Sequence, residues 1–381
     1  MENTRREFLA LAGISLTALT GLSQITGCGG ITRKDIRGDK VPASDIVTPE
    51  EYMLLFYATL APSGHNTQPW TVTVERPGQW LIGSSRERWL PHVDPENREL
   101  LLSLGAFLEN LDQASRVLGH QVSIEPLARS GMDNPVARVR LRRNKATAGQ
   151  DILEAIKNRR TLRNGLSKSD LKGTDLKALF RDIPGINYIS NGSPKGKYLQ
   201  EGTIEANRRQ AWREPAQREL ARWIRWSDAE AEEHRNGLTP ASMEIGGFTG
   251  WMVRTFFDQE SVLGKSFREK TVSLVREQTR DCGGWILLTT PDSRAASLIE
   301  AGRRFQRLFL RVRDRGVALH PMTQMLEESP WRESSAGSLG SGSPLQFIIR
   351  TGYVSRYGSP VSLRMPVTRI LKSRIPGRVR V

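Results

Sequence analysis

The sequence predicts a mixed α/β (α+β) protein whose sheets are flanked by helices, and three observations favour this class. Helix-like and strand-like hydrophobic patterns alternate along the first half of the chain. Two long amphipathic helices are predicted, over 98–118 and 298–312, and each ends at a glycine, Gly119 or Gly316. With 381 residues and 38% hydrophobic content, the chain can bury a large core in one or two domains.

The first half opens with a predicted helix over 50–60, for which Thr48 is a candidate N-cap and Pro49 suits the first helical position. A polar loop over 62–70 follows this helix. The long helix then separates two pairs of predicted strands, which cover 71–75, 80–83, 122–127 and 136–142.

The second half opens with a helix from Asp151 that is predicted to continue into the basic run 159–163. The region 195–267 is predicted to be helical and is unusually rich in Arg, Glu and Trp. A buried strand, a Ser/Gly-rich loop and an apolar strand are predicted further along, at 285–290, 334–344 and 345–353.

The two long helices indicate an internal repeat. Gly105 precedes Gly119 by fourteen residues, and Gly302 precedes Gly316 by the same number. Coincidence is the alternative, because the chain contains 34 glycines. The repeat therefore gains weight only when the motifs of the two halves are compared.

Residues 1–28 have the layout of an export signal with a lipidation site. Arg5 and Arg6 precede an apolar run whose end resembles the lipobox before a lipidated cysteine, here Cys28. The alternatives are an N-terminal helix of the mature fold or a membrane anchor, although the run is marginal for a span of about 20 apolar residues. We expect a twin-arginine-type export signal, a periplasmic or cell-envelope location, and a lipid-anchored fold joined to Cys28 by a tether over 29–47.

The formal charge of +15 favours anionic partners, namely polyanions, phosphorylated ligands or lipid headgroups. The basic tail over 373–381 would reinforce attachment to an anionic membrane. Export argues against nucleic acid as a partner. No metal site is predicted, because the five histidines are dispersed and Cys282 is the one cysteine besides Cys28.

The loop over 62–70 is a candidate ligand site. Asn66 and Gln68 each carry two donors and an acceptor, which suits the edge of a planar heterocycle that presents both kinds of group. The alternative is an ordered helix-to-strand turn whose amides satisfy backbone groups.

The basic run 159–163 is a candidate phosphate site. On a helix, Arg160 and Arg163 would share a face, and their guanidinium forks beside the hydroxyl of Thr161 match phosphate oxygens. Arg364 would supply one more positive charge. The alternatives are a solvated basic helix end and, for Arg364, the start of the basic tail.

Three motifs together resemble the nitroreductase superfamily of flavin mononucleotide (FMN) proteins, and their order is most similar to its tandem, Acg-like branch. They are the loop over 62–70, the basic run 159–163 and the segment 316–321. The similarity covers about residues 48–372 and departs from the family at 164–166, where an aromatic residue is common. The resemblance implies FMN contacts in three groups: the phosphate and ribityl contacts Arg159, Arg160, Thr161, Arg163 and Arg364; the contacts from the opposing repeat, Ser63, Gly64, Asn66 and Gln68; and the isoalloxazine neighbours Pro321 and Met322.

The resemblance also implies a nitroreductase-like fold of two pseudo-symmetric repeats, over 48–148 and 149–372, with an inserted helical lid at about 195–267. Ordinary members form homodimers in which one subunit's basic block and the other's loop share each flavin. Here the loop lies only in the first half and the basic run only in the second. We therefore expect one flavin per chain, between the repeats, in a monomer that mimics a homodimer.

The function implied by the resemblance is that of an FMN-dependent oxidoreductase that passes electrons from a reduced small-molecule donor to a small acceptor. The flavin carries the chemistry, so no catalytic side chain is assigned. The alternative is a non-catalytic FMN-binding or storage protein, which the lid and the scarcity of soluble nicotinamide donors outside the cytoplasm favour. A basic module that binds nucleic acid or a membrane is the third hypothesis, and export argues against nucleic acid.

Overall fold

The computed structural model describes residues 30–33 and 44–374. The predicted signal with Cys28, most of the predicted tether and residues 375–381 of the basic tail lie outside this part of the chain. Within the described residues, no helix has the length and apolar character needed to cross a membrane. The same residues contain no group of His, Cys, Asp and Glu side chains that could hold a metal ion.

Strands of the described residues form two sheets, and the mixed α/β class is confirmed. The strands are β1 (Trp70–Arg76), β2 (Gln79–Ser84), β3 (His120–Pro126), β4 (Ala137–Arg143), β5 (Ile186–Ser190), β6 (Gly284–Thr289), β7 (Val317–Pro321), β8 (Leu345–Tyr353) and β9 (Leu371–Ser373). All six predicted strands are confirmed, whereas β5, β7 and β9 were not predicted.

Helices cover both sheets and fill the inserted region between β5 and β6. They are α1 (Pro49–Thr59), α2 (Arg98–Val117), α3 (Asp151–Asn158), α4 (Gly173–Phe180), α5 (Pro194–Trp212), α6 (Glu214–Trp223), α7 (Asp228–His234), α8 (Gly247–Phe256), α9 (Gln259–Leu263), α10 (Lys265–Arg280), α11 (Ala295–Arg311), α12 (Gln324–Glu327) and α13 (Trp331–Leu339). The two predicted long helices are α2 and α11, and the helical character of 195–267 is confirmed.

The two sheets share one topology. The first has the order β3-β4-β2-β1-β9 and the second the order β7-β8-β6-β5. Neighbours among the first four strands of each sheet are antiparallel, and each sheet has its long helix between the second and third of these strands in chain order. The extra strand β9 is parallel to β1, so residues near the predicted boundary at 372 complete the first sheet. The predicted repeat boundaries themselves stay predictions.

The start of α1 follows the predicted capping pattern. Thr48 Oγ1 accepts a hydrogen bond from the Glu51 backbone N–H at 3.2 Å, and a Glu51 carboxylate oxygen accepts from the Thr48 backbone N–H at 2.8 Å. Pro49 occupies the first helical turn, where its missing N–H costs nothing. This capping box fixes the N-terminal end of α1, and the loop over 62–70 follows the other end of the helix.

The long helices α2 and α11 pack directly against each other at their paired glycines. A Cβ on Gly105 would lie 2.1 Å from the Ile299 carbonyl oxygen, and one on Gly302 would lie 2.0 Å from the Leu102 carbonyl oxygen. No side chain fits such a backbone approach, so both positions require glycine. The spacing that indicated a repeat thus has a packing reason, and it joins the two halves into one core.

Two polar contacts beside this helix crossing join corresponding positions of α2 and α11. The carboxylate of Glu109 accepts two hydrogen bonds from Arg307, both at 3.0 Å, and Gln306 Nε2 donates to Asn110 Oδ1 at 2.7 Å. Because Gly302 follows Gly105 by 197 positions, Glu109 corresponds to Gln306 and Asn110 to Arg307. The two contacts therefore occupy equivalent places on either side of a pseudo-two-fold axis.

Two local predictions were wrong. The helix α3 ends at Asn158, so the basic run 159–163 is not helical and Arg160 and Arg163 do not share a helix face. Residues 334–339 of the predicted Ser/Gly-rich loop belong to α13, which ends with Gly340 at a φ of 65°. Buried Ser335 and Leu339 anchor that helix, and the serines lowered its predicted helical character without preventing it.

Candidate functional site

The loop over 62–70 is a compact turn with an unusual backbone. His65, Asn66 and Gln68 all have positive φ, at 45°, 54° and 52°. Non-glycine residues in this region cost on the order of 1–3 kcal/mol each unless the surroundings hold them. Ser63 Oγ holds the turn from inside by accepting a hydrogen bond from the Gln68 backbone N–H at 2.9 Å.

The Asn66 carboxamide connects the loop to two distant segments. Its Nδ2 donates to the carbonyl oxygens of Gly237, at 3.0 Å, and Leu363, at 3.2 Å. Its Oδ1 accepts from Arg364 Nη1 at 2.8 Å. Protein groups therefore accept both amide hydrogen bonds and donate one to the amide oxygen, as expected for an ordered turn whose amides satisfy other protein groups.

Gln68 makes a matching set of contacts. Its Nε2 donates to the Arg235 carbonyl oxygen at 2.9 Å, and its Oε1 accepts from the Met365 backbone N–H at 2.9 Å. The side chain is fully buried. Both carboxamides thus fasten the loop to the inserted helical region and to the segment before β9, and neither presents a free amide edge.

Arg159 leaves the end of α3 in an extended conformation and buries its guanidinium group. The group lies 5.0 Å from the ring centroid of Phe309, and Nη2 donates to the Leu60 carbonyl oxygen at 3.3 Å. Its Nε has no hydrogen-bond partner among the described residues. Burial, together with the charge of Arg33, lowers the pKa of Arg159 to about 10.

Arg364 binds the same carbonyl. Its Nη2 donates to the carbonyl oxygens of Leu60, at 3.3 Å, and Ala61, at 3.0 Å. Burial and the charges of Arg159 and Arg33 hold its pKa well below the ordinary arginine value. Its Nε also lacks a partner in the described structure. Arg159, Arg364 and the loop over 62–70 are thus brought together at the end of α1.

Glu244, which the sequence analysis did not single out, lies on the other part of the basic run. Its carboxylate accepts from Arg160 Nη2 at 3.2 Å, from the Arg163 backbone N–H at 3.1 Å and from the Asn164 backbone N–H at 2.9 Å. Glu244 itself has a φ of 62°, and Arg163 Nη1 donates to the Ser242 carbonyl oxygen at 2.7 Å. A carboxylate from the inserted region therefore occupies donors that suit an anion.

The segment 320–322 lies at the end of β7. Met322 is buried and donates its backbone N–H to the Ile348 carbonyl oxygen at 2.8 Å, while Pro321 remains partly exposed. His320 Nδ1 is buried without a partner in the described residues. Burial and the charges of Arg350 and Arg163 hold the pKa of His320 well below its ordinary value, so this ring is neutral.

Arg350 is a second residue that sequence reasoning missed. It sits within the apolar strand β8 and is 1% exposed. Its guanidinium group donates to the carbonyl oxygens of Arg163 and Gln278, which holds the end of the basic run against the second sheet. A lone arginine among Phe347, Ile348 and Ile349 was the available signal.

These side chains fit the phosphate of an FMN group better than they fit its ring. Arg159 and Arg364 are buried cations whose Nε atoms find no partner among the described residues, and charged donors of this kind favour a phosphate. Thr161 is partly buried beside them. The carboxamides of Asn66 and Gln68, in contrast, are already hydrogen-bonded to protein. Gly64 is packed, since a Cβ there would lie 3.2 Å from Leu90 Cδ1.

A separate cavity of about 970 Å³ lies at the N-terminal ends of α2 and α11. Its lining includes Arg98, Arg129, Leu298 and Arg332, and none of the predicted FMN contacts. The cavity therefore does not coincide with the predicted flavin site.

No protein-family model matches the chain. "Probable NAD(P)H nitroreductase PigM" from Serratia sp. (strain ATCC 39006) is 25% identical over 327 residues, covering 81% of this chain and 89% of that protein. The FMN-dependent nitroreductase NfnB from Mycobacterium smegmatis, solved with NADPH, is 16% identical with a TM-score of 0.35, covering 54% of this chain and 88% of that chain. A nitroreductase-like family protein from Bacillus cereus is 14% identical with a TM-score of 0.33, covering 61% of this chain and 99% of that chain.

Proposed function

We propose that this chain is an FMN-dependent oxidoreductase of the nitroreductase superfamily that passes electrons from a reduced donor to a small acceptor. One observation carries the proposal: Arg159 and Arg364, far apart in sequence, both donate to the Leu60 carbonyl oxygen, and Arg364 also donates to Asn66 of the loop over 62–70. The similarity to PigM over most of both chains supports the reaction class.

The arginines would hold the cofactor by its phosphate. Arg159 and Arg364 offer buried positive charge, and Arg160, Thr161 and Arg163 extend the donor set along the extended run. When bound, the flavin supplies hydride chemistry, so the protein's part is to bind and orient it. Placing the phosphate between the halves leaves one such site per chain, because the first half has no basic run after α1.

In the structure, the Glu244 carboxylate occupies several of the donors that would bind the phosphate. A phosphate and the Glu244 carboxylate would compete for Arg160 Nη2 and for the backbone N–H groups of Arg163 and Asn164. Loading of FMN therefore requires the turn that carries Glu244 to withdraw. The left-handed backbone of Glu244 favours this movement, because it stores local strain.

The test is the absorption spectrum and stoichiometry of a full-length Cys28→Ala protein titrated with FMN. We expect flavin binding near one per chain, and its loss in the double variant Arg159→Ala/Arg163→Ala. A protein that stays colourless and cannot be reconstituted contradicts the flavin proposal. A stoichiometry near two contradicts the single shared site.

A non-catalytic FMN-binding or storage protein is the second candidate. It is favoured by the contacts of Asn66 and Gln68 with the inserted region, which would keep a lid closed over the site. Addition of NADPH or a quinol without oxygen separates the two functions. Bleaching of the flavin supports the oxidoreductase, and lasting colour supports storage.

Export and lipid anchoring complete the proposal. The signal over 1–28 would direct a folded, cofactor-loaded protein to the cell envelope, and Cys28 would carry the lipid. Incorporation of labelled fatty acid into the wild-type chain, but not into Cys28→Ala, tests the anchor. Labelling of both proteins or of neither contradicts it.

A further inference from the structure

A chain of oxygen atoms lies between the loop over 62–70 and the segment after β7. Thr323 Oγ1 is 2.8 Å from Glu99 Oε1 and 3.0 Å from Glu327 Oε1, and we call these three residues the acid chain. Gln210 Nε2 donates to the other carboxylate oxygen of Glu327 at 2.5 Å. Arg98 Nη2 lies 3.3 Å from Glu99 Oε1.

The number of hydrogen atoms in the acid chain follows from these distances. The Thr323 hydroxyl has one hydrogen, so it can donate to only one of the two carboxyl groups. The other contact needs a proton on the second carboxyl group, which then donates to the Thr323 oxygen. Because Arg98 lies beside Glu99, the geometry assigns this additional proton to Glu327.

The electrostatic surroundings agree with this assignment. Burial and the neighbouring Glu99 raise the pKa of Glu327 well above the ordinary glutamate value. Burial and Glu99 also raise the pKa of Asp94 to about 6, although hydrogen bonds from backbone N–H groups and the charge of Arg98 oppose the rise. Burial lowers the pKa of His65, and Glu99 partly offsets it. Arg98 thus lies beside Glu99 and also acts on Asp94.

The acid chain ends at the predicted flavin contacts. A Cβ on Gly64 would lie 3.5 Å from Glu99 Oε2, and Gly64, Thr67 and Glu99 line one small cavity. At the other side, Thr323 directly follows Met322 in sequence. Glu99 therefore presents its second oxygen to the loop over 62–70.

We propose that the acid chain stores one proton and delivers it to the acceptor that is reduced beside the loop over 62–70. This inference rests on the proposed function. Reduction of a quinone to a quinol takes up two electrons and two protons, and a hydride from the reduced donor brings both electrons and one proton. The acid chain supplies the second proton.

The proton passes from Glu327 through Thr323 to Glu99, and each O–H bond that breaks is matched by one that forms. The Glu327 proton moves to Thr323 as the Thr323 hydroxyl proton moves to Glu99. The new O–H bond of Glu99 then breaks as an O–H bond forms on the acceptor oxygen. Glu327 is left ionised and takes up a proton from solvent, which restores the starting state.

The first test needs no flavin. In infrared spectra of the full-length Cys28→Ala protein at neutral pH, we expect a carbonyl band of a protonated carboxylic acid that shifts in D₂O and disappears in Glu327→Gln. Glu333→Gln is the matched control, because that side chain is 55% exposed and pairs with Arg332. A band that persists in Glu327→Gln contradicts the stored proton.

The second test compares two acceptors in the flavin-loaded protein. Thr323→Val and Glu327→Gln should lower kcat for a quinone by about 10²-fold with little change in KM, a loss typical of a missing general acid. Ferricyanide, which accepts electrons without protons, should be reduced at the parent rate. Equal losses with both acceptors would assign these residues a structural role.

The third test is the pH dependence of quinone reduction. Since the active form is protonated Glu327, quinone reduction should decline as pH rises through its raised pKa, and Glu327→Gln should abolish that decline. An unchanged profile in this variant contradicts the proposal. If the parent reduces neither acceptor while the infrared band behaves as expected, the proposed oxidoreductase fails and the stored proton stands.

Discussion

The two halves of the molecule share their packing but differ in the segment that follows their first helix. After α1 the chain makes a tight turn with three positive-φ residues, while after α3 it runs extended and buries Arg159. The helices, sheet orders and glycine contacts around these segments correspond. The difference teaches that the close backbone approach of the helices is common to both halves, whereas the candidate binding groups lie on two segments that do not correspond.

The largest expected effect comes from adding a side chain at the point where α2 and α11 cross. Gly105→Ala and Gly302→Ala each place a methyl group against a backbone carbonyl, so each should destabilise the protein by about 3 kcal/mol. Urea unfolding of the single variants measures the two losses. Equal losses support a pseudo-symmetric crossing.

Gly337→Ala is the matched control, because this glycine lies inside α13 and nothing lies within 4 Å of its missing Cβ. That variant should be neutral or more stable by about 0.5–1 kcal/mol, as expected for alanine in a helix. A small loss at either crossing glycine, similar to the control, contradicts the close approach.

The polar contacts beside the crossing offer a second, asymmetric test. Glu109→Gln removes a buried charge that accepts from Arg307 and Arg303, and should cost about 2 kcal/mol at neutral pH. Burial opposes ionisation of Glu109, but the hydrogen bond and charge of Arg307 and the charge of Arg303 hold its pKa below the ordinary value. The stabilisation is therefore present above pH 4.5 and is lost as pH falls through the lowered pKa.

Unfolding free energies measured over the acid range check this sign. The wild-type chain should lose more stability on acidification than Glu109→Gln does. Gln306→Glu at the equivalent position is the comparison, because it places a carboxylate beside Asn110, which offers no cation. Equal acid sensitivity of the wild type and Glu109→Gln would contradict the charge-based account.

Much of this frame could be predicted from the sequence, because it rests on local signals. Periodicity predicted the ends of α2 and β8 to within one residue of their observed positions. The glycine spacing identified the residues at which α2 and α11 meet. The basic run was misassigned as helical because its extended form depends on the packing of Arg159 over Phe309, 150 positions away. No local pattern records such a contact.

Glu244 and Gln210 could not be predicted from the sequence for the same reason. Glu244 meets Arg163 across 81 positions, and Gln210 meets Glu327 across 117. In sequence each is an ordinary polar residue on a helical or turn segment. Their roles arise only when the inserted region folds back over the junction of the halves.

Removal of the Glu244 charge tests whether the inserted region competes for the basic run. Glu244→Gln should raise the affinity for inorganic phosphate or FMN about tenfold, which corresponds to about 1.4 kcal/mol. Isothermal titration calorimetry measures the change. Glu260→Gln, on the exposed face of α9, is the control. An unchanged phosphate affinity in Glu244→Gln would show that the carboxylate and the anion use different donors.

The smallest expected difference lies at the starts of α1 and α3, the first helices of the two halves. Thr48 caps α1 through its side chain, whereas Gln150, before α3, makes no side-chain cap and has helical backbone angles. Thr48→Ala should therefore cost about 1 kcal/mol, and Gln150→Ala only a few tenths. Thermal unfolding of both variants measures the difference. A loss in Thr48→Ala no larger than the loss in Gln150→Ala would contradict the capping assignment.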